Sequence, residues 1–271
     1  MLTSFSTLLL FGCLTGVLTV LFGFGGGFVT VPVVYAYLTL AAPGGADAMH
    51  VAVATSAAVM VVNAATAALG QWRQDRLRRA YLWPLAGWIA VGAAVGSFAA
   101  TLVGGTELRL LFALYLLVTI ADTLLRKGFL RVADGQPPRP LGRGTATFGG
   151  TGIGLVAAGL GVGGSVMTVP LLRRRGLPMA EATAMANPLS VPVALAASLV
   201  YALAPAASAA QLPAHPGQLG YIDLTACGAL LLGSLPTIAL VRRIAGRVPD
   251  RVHSVAYVAL LGAVLLVTVS V

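Results

Sequence analysis

The chain has 271 residues, 58% of them hydrophobic and 9% charged, with a mean hydropathy of +0.92 and a formal net charge of +9. So little polar surface cannot cover a water-soluble globule of this length, so the solvent for most side chains must be lipid. The basic residues lie in short clusters between apolar runs instead of along one face with aromatics, a pattern that a topological signal explains better than a nucleic-acid surface, so no nucleic-acid partner is expected.

In chain order, the first apolar stretch carries no Lys or Arg ahead of it, so it is expected to persist in the mature protein and not be cleaved. Segment 5–40 is rich in glycine around Gly23 to Gly27. Apolar runs near 50–70, 81–103 and 108–125 follow, then a hydrophilic stretch over 126–144 containing Pro137, Pro138 and Pro140 that predicts a linker in water. A second glycine-rich segment covers 145–172, followed by apolar runs near 180–204, 221–241 and 252–271. The six apolar runs approach or exceed the roughly 20 residues that cross a hydrocarbon core. Cys13 and Cys227 sit inside apolar segments with no second Cys or His at ligand spacing, so both are read as packing residues. No disulfide, metal, cofactor or catalytic residue is expected.

An offset of 138 positions aligns Gly12, Gly16, Gly23, Gly25, Gly26, Thr30, Val31 and Pro32 with Gly150, Gly154, Gly161, Gly163, Gly164, Thr168, Val169 and Pro170 without a gap. Shared use of glycine does not put a Thr-Val-Pro tripeptide at the same offset, so the chain is an internal duplication. The first repeat spans 1–125, the cytoplasmic linker 126–144 and the second repeat 145–271.

The clusters Arg73 to Arg79, Arg126 to Arg143, Arg173 to Arg175 and Arg242 to Arg251 hold 16 of the 17 Lys and Arg residues and are expected on the cytoplasmic side of the membrane. Loops 41–49 and 205–220 hold none and are expected outside. Segment 145–172 begins and ends at basic clusters, so it must enter and return, reversing at Gly159 to Gly164 where glycine tolerates a tight bend. Segment 5–40 should do the same from the other side, because three crossings separate it from the linker. The fold class expected is an all-α polytopic membrane protein of two inverted repeats, each a re-entrant or broken helical hairpin of short helices followed by three transmembrane helices. Gly12 to Gly16, Gly92 to Gly96 and Gly150 to Gly154 are spaced for close helix packing.

A helix that breaks at Gly25-Gly26-Gly27 and resumes through Thr30 presents free N–H donors and the positive end of a dipole, which attract anions. Gly163, Gly164, Ser165 and Thr168 repeat the arrangement, so two such ends can converge on a pocket that carries no full charge. A Lys or Arg at the bilayer centre costs about 2.5 to 3.5 kcal/mol on insertion scales, a penalty that oriented amides avoid. Thr55, Ser56 and Asn187 are candidate side-chain donors, and equally hydroxyls bonded to their own backbone and an amide that glues helices. Pro188 and Pro192 are expected to kink their helix. Asp122, the lone carboxylate inside an apolar span, is read as an interfacial ion pair with Arg126 before a proton relay. Glu181 and Asp223 are read as first-turn residues that complement helix dipoles, and His50, His215 and His253 as isolated.

The run Gly23 to Pro32, the helix start Ala52 to Ser56 and the second Gly161-to-Pro170 copy resemble the sulfite exporter TauE/SafE family over essentially the whole chain, as does Leu177-Pro178-Met179 leading to Pro192 and Tyr201. The resemblance implies a bacterial inner-membrane permease or exporter for sulfite, organosulfonates or related small oxyanions. Its partners would be that anion, the lipid bilayer and, as an open option, a second copy in a homodimer. Where the family's second copy usually carries Thr-Ser, this chain has Met185-Ala186 and then Asn187-Pro188. Two other classes compete. A membrane enzyme needs convergent His, Asp, Glu or Cys groups that this core does not supply, and a non-transporting membrane subunit or scaffold would leave the duplicated breaks without a purpose.

Overall fold

The computed structural model describes residues 2–41, 47–75, 77–125, 129, 138–204, 217–243 and 248–270. It is built of helices: α1 (Leu2–Phe22), α2 (Gly27–Ala41), α3 (Ala48–Arg73), α4 (Arg79–Ala100), α5 (Gly105–Leu125), α6 (Gly150–Gly159), α7 (Ser165–Arg174), α8 (Met179–Leu203), α9 (Leu224–Val241) and α10 (Asp250–Ser270). A π-helical turn, Thr145–Gly149, leads into α6, and strands β1 (Gln218–Leu219) and β2 (Ile222–Asp223) pair antiparallel ahead of α9. The chain is an all-α polytopic membrane protein. Seven helices are long and apolar enough to cross a bilayer, namely α1, α3, α4, α5, α8, α9 and α10. Six of them fall on the apolar runs read from the sequence.

The first hairpin differs from the expected pair of short helices. Its first arm, α1, has 21 residues, or about 31 Å of helix, enough to cross, and only its return arm α2 is short at 15 residues. The second hairpin matches the expectation, with α6 and α7 of 10 residues each.

Glycine faces decide which helices touch. A β-carbon on Gly12 would stand 2.3 Å from the Leu230 carbonyl oxygen and one on Gly16 2.6 Å from that of Ser234, so α1 lies backbone to backbone along α9, in the same direction. Likewise β-carbons on Gly92 and Gly96 would stand 1.9 Å from the carbonyl oxygens of Thr151 and Leu155, and one on Gly154 2.0 Å from that of Ile89. That places α4 parallel to α6. These are the small-residue packing faces expected from the spacing.

The pairings exchange between the two halves of the chain: α1 on α9 matches α6 on α4, α2 on α3 matches α7 on α8, and α3 on α8 and α5 on α10 match themselves. α3 and α8 form the centre and run antiparallel. The His50 ring near the start of α3 lies tilted against that of Tyr221, whose N–H donates to the Tyr201 carbonyl near the end of α8, whereas Thr66 and Gly70 share a cavity with Ala180 and Thr183 at the start of α8. α3 has 67% of its apolar window buried against 33% for α4, α5 and α10, whose outer faces carry side chains such as Trp83, Leu110 and Leu266. α8 continues through Pro188 and Pro192 as one helix.

Candidate functional site

The two breaks pack directly on each other beside the middle of α3. Gly23, Gly25 and Gly26 adopt φ of +72°, +61° and +91°, and Gly161 adopts +65°, a left-handed region in which other L-residues are strained. A β-carbon on Gly27 would stand 2.8 Å from the Gly161 carbonyl oxygen, and one on Gly163 2.9 Å from that of Phe24. Ser56, fully buried, lies within 2.9 Å of both the Gly27 and the Gly161 carbonyl oxygens and donates its hydroxyl between them. One α3 side chain thereby joins break to break.

A helix that stops inside lipid leaves carbonyls that need donors. Tyr201 on α8 donates to the Gly159 carbonyl at 3.2 Å, and His253 on α10 donates Nε2 to the Leu21 carbonyl. At the start of α7, Tyr257 donates to the Val166 carbonyl at 3.2 Å. Beyond the first turns of α2 and α7 the N–H groups find the carbonyl four back, as Thr30 and Thr168 do with Gly26 and Gly164. The first-turn N–H groups of both return helices have no such carbonyl by construction.

The candidate residues separate into groups. Gly25, Gly27, Ser56 and Gly163 meet at the junction, with Met60 and Ser190 beside them. Gly26 faces Thr15, Thr19 and Asn63 on the α1 side, and Asn187 joins that group through Nδ2, which donates to the Thr19 carbonyl at 3.1 Å while Oδ1 has no partner among the described residues. Gly164 faces Ile153 and Val193 instead, and Ser165 opens α7 with its hydroxyl 3.5 Å from the Gly163 carbonyl. Thr30 spends its proton on the Gly26 carbonyl at 2.7 Å, whereas the equivalent Thr168 hydroxyl is buried without a partner among the described residues. Thr55 is turned away from the breaks, accepting the Asp223 N–H at 3.0 Å.

The charged groups do structural work at the rims. Asp122 pairs with Arg174 at 2.6 Å, whereas Arg126, the partner expected from spacing, lies outside the described residues. Arg173 is buried and held by Asp250 at 2.7 Å and the Phe129 carbonyl at 3.0 Å. Glu181, in the first turn of α8, pairs with Arg78 at 2.8 Å, and Asp223 caps α9 by accepting from Thr225 and Ala226. No cluster of metal-ligating side chains occurs among the described residues.

With the breaks converging in a lipid-embedded helical core, the decisive comparison is with known families. The model of Sulfite exporter TauE/SafE matches residues 8–268, both hairpins and every helix after them. The chain belongs to the sulfite exporter TauE/SafE family. No curated protein and no solved structure matches it. Membership in TauE/SafE makes this chain a membrane transporter, and that family is one of permeases and not of enzymes.

Within this TauE/SafE chain the sequence reading missed Asn63, Ser190 and Ser234. The Ser234 hydroxyl donates to Asn63 Oδ1 at 2.7 Å, and the Ser190 hydroxyl to the Ala186 carbonyl at 2.9 Å. A signal for Asn63 was present: it is the lone amide in the apolar run 50–70, and such a group in lipid is by default glue or site.

Proposed function

We propose that the chain is a bacterial inner-membrane permease for sulfite, organosulfonates or related small oxyanions, which bind where the two glycine breaks meet. The reading places the repeats 1–125 and 145–271 in inverted orientation about the 126–144 linker, with the basic loops and linker cytoplasmic. The antiparallel course of α3 and α8, which occupy matching places in the two halves, supports the inversion.

The observation that carries the proposal is the direct packing of break on break, with Ser56 between them and the starts of α2 and α7 beside the junction. First-turn amides that lack a carbonyl four residues back, and the positive ends of two helix dipoles, are the groups that hold an oxyanion without a full countercharge. A site of that kind also releases its ion, since no dry ion pair has to be broken in each cycle. Purified protein in liposomes tests this. Sulfite or methanesulfonate flux above that of protein-free liposomes is expected, and absence of flux across a broad anion panel would return the chain to a non-transporting membrane subunit.

A further inference from the structure

Four helices that surround the first break continue toward the arginine-rich end around a small cavity. It measures about 40 Å³, room for roughly two or three waters, and is lined by Leu21 of α1, Thr66 and Gly70 of α3, Thr183 of α8 and, exposed at its mouth, Arg242 after α9. One turn deeper the same helices carry Thr19, Asn63, Asn187 and Ser234, all fully buried. The wall of the cavity and this polar group form one column between the basic face and Gly26.

Asn63 is the end of that column. Because Ser234 occupies its Oδ1, its Nδ2 turns to Gly26, 2.8 Å from where a β-carbon there would stand, and so lies beside the start of α2. Nδ2 has no hydrogen-bond partner among the described residues, and the side chain is 0% exposed. A buried donor with no acceptor is destabilising, so its place beside a helix N-terminus points to an acceptor that comes and goes. The matching places around Gly164 hold Ile153 and Val193, so no amide stands there among the described residues, and the unpartnered donor near Gly164 is the Thr168 hydroxyl.

We infer that Asn63 Nδ2 is a donor subsite for the anion on the basic side of the junction, and that the column between α1, α3, α8 and α9 is the anion's route between that subsite and Arg242. The nature of the anion rests on the permease reading, whereas the route does not. Arg242 raises the local anion concentration at the mouth, and Asn63 with the first-turn amides of α2 replaces water around the ion before it reaches the junction. The cavity is too narrow here for an oxyanion to pass, so passage requires α1 or α9 to move off α3 and α8.

Single cysteines replacing Asn63, Thr66 or Val193, in a chain whose Cys13 and Cys227 are alanine, test the route with an anionic, sulfonate-bearing methanethiosulfonate reagent added to each face of membrane vesicles. Asn63→Cys and Thr66→Cys should react from the basic face. Methanesulfonate should slow both about threefold when the site is two-thirds occupied, and Val193→Cys should stay unreactive. Reaction at Thr66→Cys without reaction at Asn63→Cys, or no protection by methanesulfonate, overturns the subsite. Flux then separates the two readings. If the native chain carries sulfite and Asn63→Leu does so with an unchanged KM, the subsite is wrong and the permease reading stands. If the native chain carries no anion while Asn63→Cys is labelled and protected, the permease reading is wrong and the subsite stands. A rise of at least about tenfold in KM for Asn63→Leu, with the labelling pattern above, is the result expected of both.

Discussion

The two helix breaks share a backbone plan and differ in what surrounds it. In both, a glycine with positive φ, Gly23 or Gly161, lies against the backbone of the opposite central helix, at Thr183 of α8 or Val53 of α3. In both, the carbonyl left at the end of the first arm receives a donor from elsewhere, His253 at Leu21 and Tyr201 at Gly159. Around Gly26, however, stand Thr15, Thr19 and Asn63, and around Gly164 stand Ile153 and Val193. The return helices are also anchored differently from matching positions. Tyr35 on α2 takes a hydrogen bond from Arg109 at 3.4 Å with the guanidinium over its ring, whereas Arg173 on α7 is buried in an ion pair with Asp250. The same glycine pattern sets where the chain reverses in both halves, because a broken helix in lipid needs glycine and external donors wherever it occurs. Which break is polar, and which return arm is held tightly, was free to diverge.

That contrast can be broken by substitution. The largest effect is expected at Gly26, where alanine must accept a φ of +91° and a β-carbon 2.6 Å from Thr15 Cγ2 and 2.8 Å from Asn63 Nδ2. Left-handed strain and overpacking together cost about 2 to 4 kcal/mol, whereas Gly164→Ala, with an ordinary helical φ and a nearest contact of 3.1 Å, should cost under about 1 kcal/mol. Thermal unfolding in detergent measures both, and equal midpoints would erase the distinction between the breaks. Asp250→Asn follows. It leaves the buried Arg173 without its counterion, at a cost of about 3 kcal/mol, the low end for buried pairs because the Asp250 side chain is 46% exposed. Ser56→Ala removes the donor shared by the Gly27 and Gly161 carbonyls and should cost about 1 to 3 kcal/mol, together with faster hydrogen exchange at both breaks. Smallest is Tyr35→Phe, which keeps the ring under Arg109 and loses only a long hydrogen bond, worth about 0.5 to 1 kcal/mol. If it destabilised as much as Asp250→Asn, the two return arms would be equally anchored.

Much of the architecture was legible because lipid makes composition directional. An apolar run near 20 residues has one solution, so α3, α4, α5, α8, α9 and α10 fall on the runs read from the sequence. Glycine pairs spaced four apart identified the contact faces of α1, α4 and α6, and the repeat located both breaks. The length of α1 was misjudged because its apolar stretch runs on to the first break without a charge or proline to shorten it. Thr55 and Thr30 could not be placed, since a hydroxyl in a helix serves the substrate, a neighbouring strand or its own backbone according to helix rotation alone. Asn63 was passed over although it is the lone amide in the run 50–70.

By itself the sequence determined that this protein lives in lipid, that one glycine pattern occurs in it twice, and where its helices must break, because hydropathy, charge clusters and glycine runs are local properties with local consequences. Only the tertiary structure decided that the two breaks touch, that Ser56 joins them, and that the amide of Asn63 stands beside Gly26 with an empty donor. Those facts depend on the rotation and depth of helices far apart in the chain, and packing of small residues, which carries no polar label, sets both.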